Sequence, residues 1–197
     1  MLIRKMTIED ITACVEIEQQ CFSQPWSEKS FSDSLSREDT LFLVCELTNK
    51  DDISQNLQVD AKLKSKISSS LSVEDLLEIE SMVDVFLPTE IVDIFNSKQK
   101  ENKIVAYIGM YISFDEANIT NVAVLPSYRK KGIGEQLVAN AKIFAKEAGT
   151  ETIFLEVRIS NTPAISLYQK MDFIKLGMRK NFYDHPLEDA YIMSCKL

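Results

Sequence analysis

One stretch constrains this chain more than any other: Val124-Leu125-Pro126-Ser127-Tyr128-Arg129-Lys130-Lys131-Gly132-Ile133-Gly134-Glu135. It joins an apolar, strand-like run over 119–125 to an amphipathic helical pattern over 134–148. The turn between them holds two glycines and three cations. A helix that begins there points unpaired backbone N–H groups, and the positive end of its dipole, into the loop. Such a loop suits an anion, and the natural guest is a phosphate or pyrophosphate.

The rest of the chain supplies a setting for that loop. Ile8, Ile11, Val15 and Ile17/Glu18 follow a helical stripe, which predicts a helix over 7–20 with Thr7 as its cap. A turn at Gln24-Pro25-Trp26 precedes a second helix, capped by Ser27 and running to Leu35. Runs at 41–47 and 104–114 read as strands. Beyond the loop and its helix come a strand over 152–158, a helix over 162–171, and strands near 173–179 and 189–197. Helices and strands alternate, so the expected class is α/β with a mixed central sheet flanked by helices.

A length of 197 residues fits one domain over 1–197 with an embellishment inside it. The embellishment is 48–103. It opens polar, passes a Ser-rich patch, and then shows Leu76, Ile79, Val83 and Phe86 at helical spacing before Pro88. It reads as a partly helical insertion between two strands that would otherwise form a hairpin. Its apolar stripe most simply packs onto the host domain.

Charge and cysteine content narrow the function classes. A net charge of -8 argues against general nucleic-acid binding and suits a basic partner such as a cationic peptide. Cys14, Cys21, Cys45 and Cys195 form no CxxC pair, and the single His185 has no ligand-spaced companion, so no metal site is expected. Scattered cysteines without a secretion signal suit a reducing cytosol. The apolar run over 104–112 is too short to span a bilayer, so a cytoplasmic chain with no membrane partner is expected.

In the strand over 152–158, Ile153, Leu155 and Val157 share one face, and Phe154, Glu156 and Arg158 the other. Glu156 is then either a cleft carboxylate suited to general-base work or a solvated strand-end group paired with Arg158. Tyr168, on a stripe with Ala164 and Met171, reads by itself as an amphipathic core residue. Asn161, before Thr162-Pro163, reads as a helix cap.

Taken together, these elements resemble the GNAT acetyltransferase superfamily, whose acetyl-CoA loop has the pattern Gln/Arg-x-x-Gly-x-Gly/Ala, here Arg129 to Gly134. Within it they resemble the bacterial RimI family of ribosomal-protein alanine N-acetyltransferases. The residues that carry this are Glu18-Gln19, Pro25-Trp26-Ser27-Glu28-Lys29, Leu155-Glu156-Val157-Arg158 with Ser160-Asn161, Arg179-Lys180-Asn181-Phe182-Tyr183 and Glu188-Asp189-Ala190. The resemblance covers about 1–47 and 104–197 and leaves out the insertion.

The resemblance implies a GNAT fold, acetyl-CoA as cosubstrate and no metal. It implies that backbone groups of Val122, Ala123 and Val124 pair with the pantetheine amides. Amides of Lys130, Lys131, Gly132, Ile133, Gly134 and Glu135, in the loop that Arg129 heads, would hold the pyrophosphate, and Asn161 would also touch the cofactor. Glu156 would be the general base, Tyr168 the general acid, and a strand N–H near Val124 the oxyanion donor. Loops at 22–27 and 181–188 would flank the substrate groove, with Trp26 and Tyr183 as its walls. The implied substrate is a protein N-terminal amine, the alanine of a small-subunit ribosomal protein. Acetylation of internal lysines or small amines, and a non-catalytic CoA-binding interaction module, remain as alternatives. One departure stands out: the family commonly has Gly where this chain has Asp172, at a position that often turns left-handed.

Overall fold

A computed structural model describes residues 1–47 and 103–197. The expected insertion at 48–103 therefore lies, but for Lys103, outside the described residues. The elements in chain order are β1 (Leu2–Lys5), α1 (Ile11–Cys21), α2 (Glu28–Leu35), β2 (Thr40–Leu47), β3 (Lys103–Ser113), β4 (Glu116–Val124), α3 (Ile133–Glu147), β5 (Thr152–Arg158), α4 (Thr162–Lys170), β6 (Ile174–Asp184) and β7 (Leu187–Lys196). Single 3-10 turns at Ile8–Asp10 and Pro126–Tyr128 precede α1 and the glycine loop.

The strands form one sheet in the order β1-β2-β3-β4-β5-β7-β6. Pairing is parallel between β4 and β5 and antiparallel for β1–β2, β3–β4, β5–β7 and β6–β7. The parallel pair is joined through a helix, α3, as a crossover connection demands. The expected α/β class with a mixed sheet is the observed one.

Local sequence explains most of these elements. In α3, Ile133, Leu137, Val138, Ala141 and Ala145 recur at helical spacing and are all buried, with Leu137 fully so. A fully buried leucine contributes roughly 2 kcal/mol by removing its surface from water. In β5, Ile153, Leu155 and Val157 are buried while the alternate residues are half-buried, as strand alternation requires. Ser27 caps α2 by accepting from the Ser30 N–H at 3.1 Å. Asn161 caps α4 by accepting from the Ala164 N–H at 3.3 Å.

Two elements depart from expectation. Strand β1 has no apolar pattern of its own. It pairs with β2 from Leu2↔Glu46 to Lys5↔Leu43, and Arg4 bridges Glu46 and Asp10. Thr7 is the N-cap of the 3-10 turn that leads into α1, its N–H and hydroxyl both donating to the Asp10 carboxylate, and α1 proper starts at Ile11. The expected loop at 181–188 is mostly strand: β6 runs to Asp184, β7 starts at Leu187, and only His185 and Pro186 turn. Pairing of Tyr183 with Glu188 and Asp184 with Leu187 extends the ladder to the tip.

The sheet is split where the chemistry would be. The β4–β5 ladder runs from Glu116↔Thr152 to Ile119↔Leu155 and stops there. Beyond that point β4 continues on β3 as far as Ala106↔Val124, and β5 continues on β7 as far as Arg158↔Ala190. The two parallel strands thus part company at Thr120 and Glu156. Among the described residues, no helix is long and apolar enough to cross a membrane.

Candidate active site

The glycine loop closes one end of the split. Lys130 and Gly132 both take left-handed backbone conformations, at φ 59 and φ 78, and Gly132 is the N-cap of α3. Glycine adopts that conformation without strain. Ile133, Gly134 and Glu135 are the first three residues of α3, with no helical carbonyl one turn back to receive their N–H groups. The first such bond is donated by Gln136 to Gly132. A Cβ on Gly134 would lie 3.2 Å from Leu167 Cδ2 and 3.9 Å from Val124 Cγ2, so the missing side chain lets α3 sit close to both α4 and β4.

Charge around the loop is arranged for an anion. The Lys131 ammonium lies 4.9 Å from the Tyr128 ring centroid. Glu135, whose charge would repel a phosphate, is neutralised by Lys170 of α4 at 2.7 Å. Arg129 turns inward: Nε donates to the Val124 carbonyl at 3.0 Å, and Nη2 lies 3.5 Å from Cys21 Sγ. It ties the end of β4 to the end of α1.

Backbone alternation sorts the residues expected along the cofactor strand. The Leu125 N–H donates to Val105, so Leu125 and Ala123 direct their backbone groups toward β3. Val122 and Val124 then direct theirs toward the split, and the Val124 carbonyl meets Arg129 and Cys21 there. A chain of amides laid in the split would find Val122 and Val124 as partners, not Ala123.

At the opened end of β5, three expected site residues come together. Glu156 has a side chain only 14% exposed. Its backbone carbonyl accepts from the Tyr183 hydroxyl at 3.3 Å. Its carboxylate pairs not with Arg158, as a strand-end reading would have it, but with Arg179 of β6, at 3.2 Å. Arg158 instead pairs with Glu188 at 3.0 Å and covers the Tyr183 ring at 4.0 Å. Tyr168 is buried against Phe173, with ring centroids 5.7 Å apart. Burial pushes the Tyr168 phenol well above the ordinary tyrosine range, with Tyr183 adding to the effect. Tyr168 is therefore held as a neutral hydroxyl, a proton donor at any ordinary pH. Burial likewise raises the Tyr183 phenol, partly offset by the Arg158 cation.

A cleft of about 300 Å³ opens beside Glu156 along the sheet, lined among others by Tyr111, Glu116, Asn118, Phe154 and Arg179. Trp26 is placed differently. Its indole packs on Phe31 and Phe42, at centroid distances of 5.4 and 6.0 Å, so its main contacts are with the core. Its backbone N–H donates to Glu18 at 2.8 Å.

Glu18 was legible as part of a helical stripe and of the RimI resemblance, but not as a buried anchor. It is fully buried and accepts from Trp26, from Asn121 Nδ2 at 3.2 Å, and from the Tyr107 hydroxyl. A buried carboxylate with three donors is a satisfied one. It fastens the loop after α1 to β3 and β4. The signal was there to find, since a Glu on the apolar face of α1, one turn after Cys14, must have partners.

A split between parallel strands, with the free N–H groups of a helix start beside it and Glu156 and Tyr168 along β5 and α4, is the arrangement expected of an acyl-group transferase. The chain belongs to the GNAT acetyltransferase family, whose model, described as "Acetyltransferase (GNAT) family", matches residues 73–173. Over 191 residues, covering 97% of this chain and 92% of the relative, it is 30% identical to a Bacillus subtilis (strain 168) protein designated a candidate [ribosomal protein bS18]-alanine N-acetyltransferase. It is 26% identical over 194 residues to the [ribosomal protein bS18]-alanine N-acetyltransferase of Escherichia coli (strain K12), covering 98% of this chain and 95% of the relative. The crystal structure of the Escherichia coli ribosomal-protein-S18-alanine N-acetyltransferase superposes with a TM-score of 0.66 at 25% identity, covering 99% of this chain and 92% of that one. An Arabidopsis thaliana NAA60 structure in complex with acetyl-CoA shares the fold, with a TM-score of 0.65 at 14% identity over 100% of this chain and 98% of that one. The protein is thus an acyltransferase of a family that uses acetyl-CoA.

Proposed function

We propose that this enzyme moves acetyl from acetyl-CoA to the α-amine of a protein N-terminus, the alanine of a small-subunit ribosomal protein, in the cytoplasm. The observation that carries this reading is similarity along nearly the whole chain to proteins named bS18-alanine N-acetyltransferases. The geometry supports it at the level of single groups.

Bound acetyl-CoA supplies the acetyl thioester; the chain supplies everything else. N–H groups at the start of α3, with Lys130, Lys131 and Gly132 before them, hold the pyrophosphate. Backbone groups of Val122 and Val124 orient the pantetheine arm, as an added strand pairs with a sheet edge. An N-terminal α-amine has a pKa of about 8 and is mostly protonated near neutral pH. Glu156 takes that proton, and the freed amine attacks the carbonyl carbon. The Val124 N–H, aimed into the split, donates where negative charge develops on the carbonyl oxygen. Tyr168 donates a proton to the departing sulfur, and the second proton that the nitrogen sheds as the amide forms returns through solvent to restore the phenol. No group on the enzyme is acylated, so the four cysteines have no part in the chemistry.

Tyr183, held by Arg158 and bonded to the Glu156 backbone, forms one wall of the substrate groove. Trp26 contributes from beneath, by fixing the loop after α1. The test is incubation with acetyl-CoA and three peptides: one with a free N-terminal alanine, one with a blocked N-terminus and an internal lysine, and one with both amines free. Mass spectrometry should place acetyl only on the α-amine. Acetyl confined to lysine would sink the reading, and tight CoA binding without turnover on any amine would point to an interaction module.

A further inference from the structure

The base proposed for this reaction is already occupied. Glu156 Oε1 lies 3.2 Å from Arg179 Nη1, and both residues line the cleft of about 300 Å³. The two partners are unequal: the Glu156 side chain is 14% exposed and the Arg179 side chain 56%. A carboxylate this enclosed is costly without a cation, so something must balance it while no substrate is bound. An arginine that is itself largely exposed balances it from the solvent side, where it can exchange with another cation that takes its place. In that same position Arg179 also meets a ring. Its guanidinium lies 5.7 Å from the Phe182 ring centroid, within the range of a cation–π contact.

We propose that Arg179 is a resident competitor for the substrate ammonium, holding Glu156 in the free enzyme and yielding it when an amine arrives. The proposal rests on Glu156 being the base. Exchange of one cation for another conserves the charge of the cleft, so arrival of the ammonium never leaves Glu156 unpaired. The two cations differ in one respect that matters for chemistry. An ammonium can surrender a proton to a carboxylate, whereas a guanidinium cannot. While Arg179 holds Glu156, the base has nothing to accept. Glu116, on the wall of the same cleft, adds a second negative group and favours entry of a cationic chain end.

Competition of this kind has a kinetic signature distinct from that of a structural or substrate-holding residue. Arg179→Gln should lower the KM for a peptide with a free N-terminal alanine by about two- to fivefold and leave its kcat in place. Arg179→Lys, which keeps a cation, should stay near the parent enzyme. The difference between Arg179→Gln and the parent should shrink as salt is raised, because Arg179 faces solvent and its charge is screened there. Once Glu156 is Gln there is nothing to compete for, so binding of the same peptide to Glu156→Gln, measured by calorimetry, should be unchanged by adding Arg179→Gln. A raised or unaltered KM in Arg179→Gln, alongside lost turnover in Glu156→Gln, would overturn this inference alone. Full turnover in Glu156→Gln would overturn the base assignment and the inference with it.

Discussion

Ser23 Oγ donates to the His185 carbonyl oxygen at 2.7 Å, joining the loop after α1 to the β6–β7 turn. These are the two segments expected to flank the substrate. The same turn is held from the other side by Arg158, which donates to the carbonyls of His185 at 2.9 Å and Pro186 at 3.0 Å. Glu188, which pairs with Arg158, also accepts from the Ser160 N–H at 2.7 Å. The turn is thus pinned to the end of β5, beside Glu156.

Arg158→Ala should free the turn and uncover the Tyr183 ring. The expected cost is about 1–3 kcal/mol, because two carbonyls and one carboxylate lose a charged donor. Peptide KM should rise about tenfold while the KM for acetyl-CoA stays within about twofold. Ser23→Ala removes one exposed bond and should cost no more than about 1 kcal/mol. Thermal denaturation and two-substrate kinetics check both, and a parallel rise in both KM values would contradict a role local to the peptide.

Glu156→Gln should lower kcat by about a hundredfold or more, the usual contribution of a positioned base, with CoA affinity nearly unchanged. Tyr168→Phe keeps the packing on Phe173 and loses only the hydroxyl, so it should lower kcat by about tenfold without unfolding the protein. Calorimetry with CoA separates binding from turnover. If both affinity and turnover fell together in a folded variant, neither assignment would stand.

Gly132→Ala places a Cβ on a residue at φ 78, in open space but in a conformation that costs an L-residue about 1–2 kcal/mol. The loop would relax and re-aim its N–H groups. CoA affinity should fall about tenfold, with peptide affinity in the absence of CoA unaltered. Calorimetry with CoA and with its dephosphorylated fragments reads the loop directly.

Acid stability should depend on Asp10. Its carboxylate accepts from Arg4 at 2.7 and 2.8 Å and from the Thr7 N–H at 2.8 Å. Arg4 first, and Thr7 after it, hold the Asp10 carboxyl below its ordinary value of 3.8, against the opposing effect of burial. Because the folded value lies below the unfolded one, this stabilisation is complete above 3.8 and is lost as pH falls through the folded value. Asp10→Asn should therefore cost about 2 kcal/mol near neutral pH, and the gap from the parent should close below 3.8. Melting temperature followed from neutral pH down to about pH 3 checks the sign, and a gap that widened in acid would contradict it.

Thiol labelling offers an independent view of the split. Cys14 is fully buried, and burial with nearby Asp10 and Glu18 pushes its thiol up to about 12. Cys45 and Cys195 are also buried, whereas Cys21 is half-buried with Sγ 3.4 Å from the Val124 carbonyl. Iodoacetamide should label Cys21 first, and saturating CoA should slow that labelling several-fold. Equal rates with and without CoA would place the pantetheine arm away from Val124.

Much of the candidate site's local geometry was readable along the chain. The strand–glycine–helix passage at 124–135 carries its meaning locally, because left-handed glycine and free helix N–H groups follow from neighbouring residues. Alternation in β5 put Glu156 opposite Leu155 and Val157 without reference to any other strand. Asp172 is left-handed as expected, at φ 69, with Lys142 Nζ 3.7 Å from its carboxylate. Strand β1 was not readable, since Leu2–Lys5 has no alternation and is held by Arg4 reaching Glu46. The reach of β6 and β7 to a two-residue turn was hidden as well, because polar residues such as Asn181 and Asp184 look like loop until a partner strand supplies their hydrogen bonds.

By itself the sequence determined the order of elements after β1, the glycine loop at a helix start, and the motifs that mark a GNAT acetyltransferase. Each of these depends on contacts within a few residues, which local pattern encodes. Only the tertiary structure decided which charges meet. The sheet order β5-β7-β6 brings Arg179 to Glu156 and Glu188 to Arg158, and packing of α1 brings Glu18 to Tyr107, Asn121 and Trp26. A carboxylate takes the partner that the fold sets within reach, and reach across a sheet is not written in the spacing along a chain.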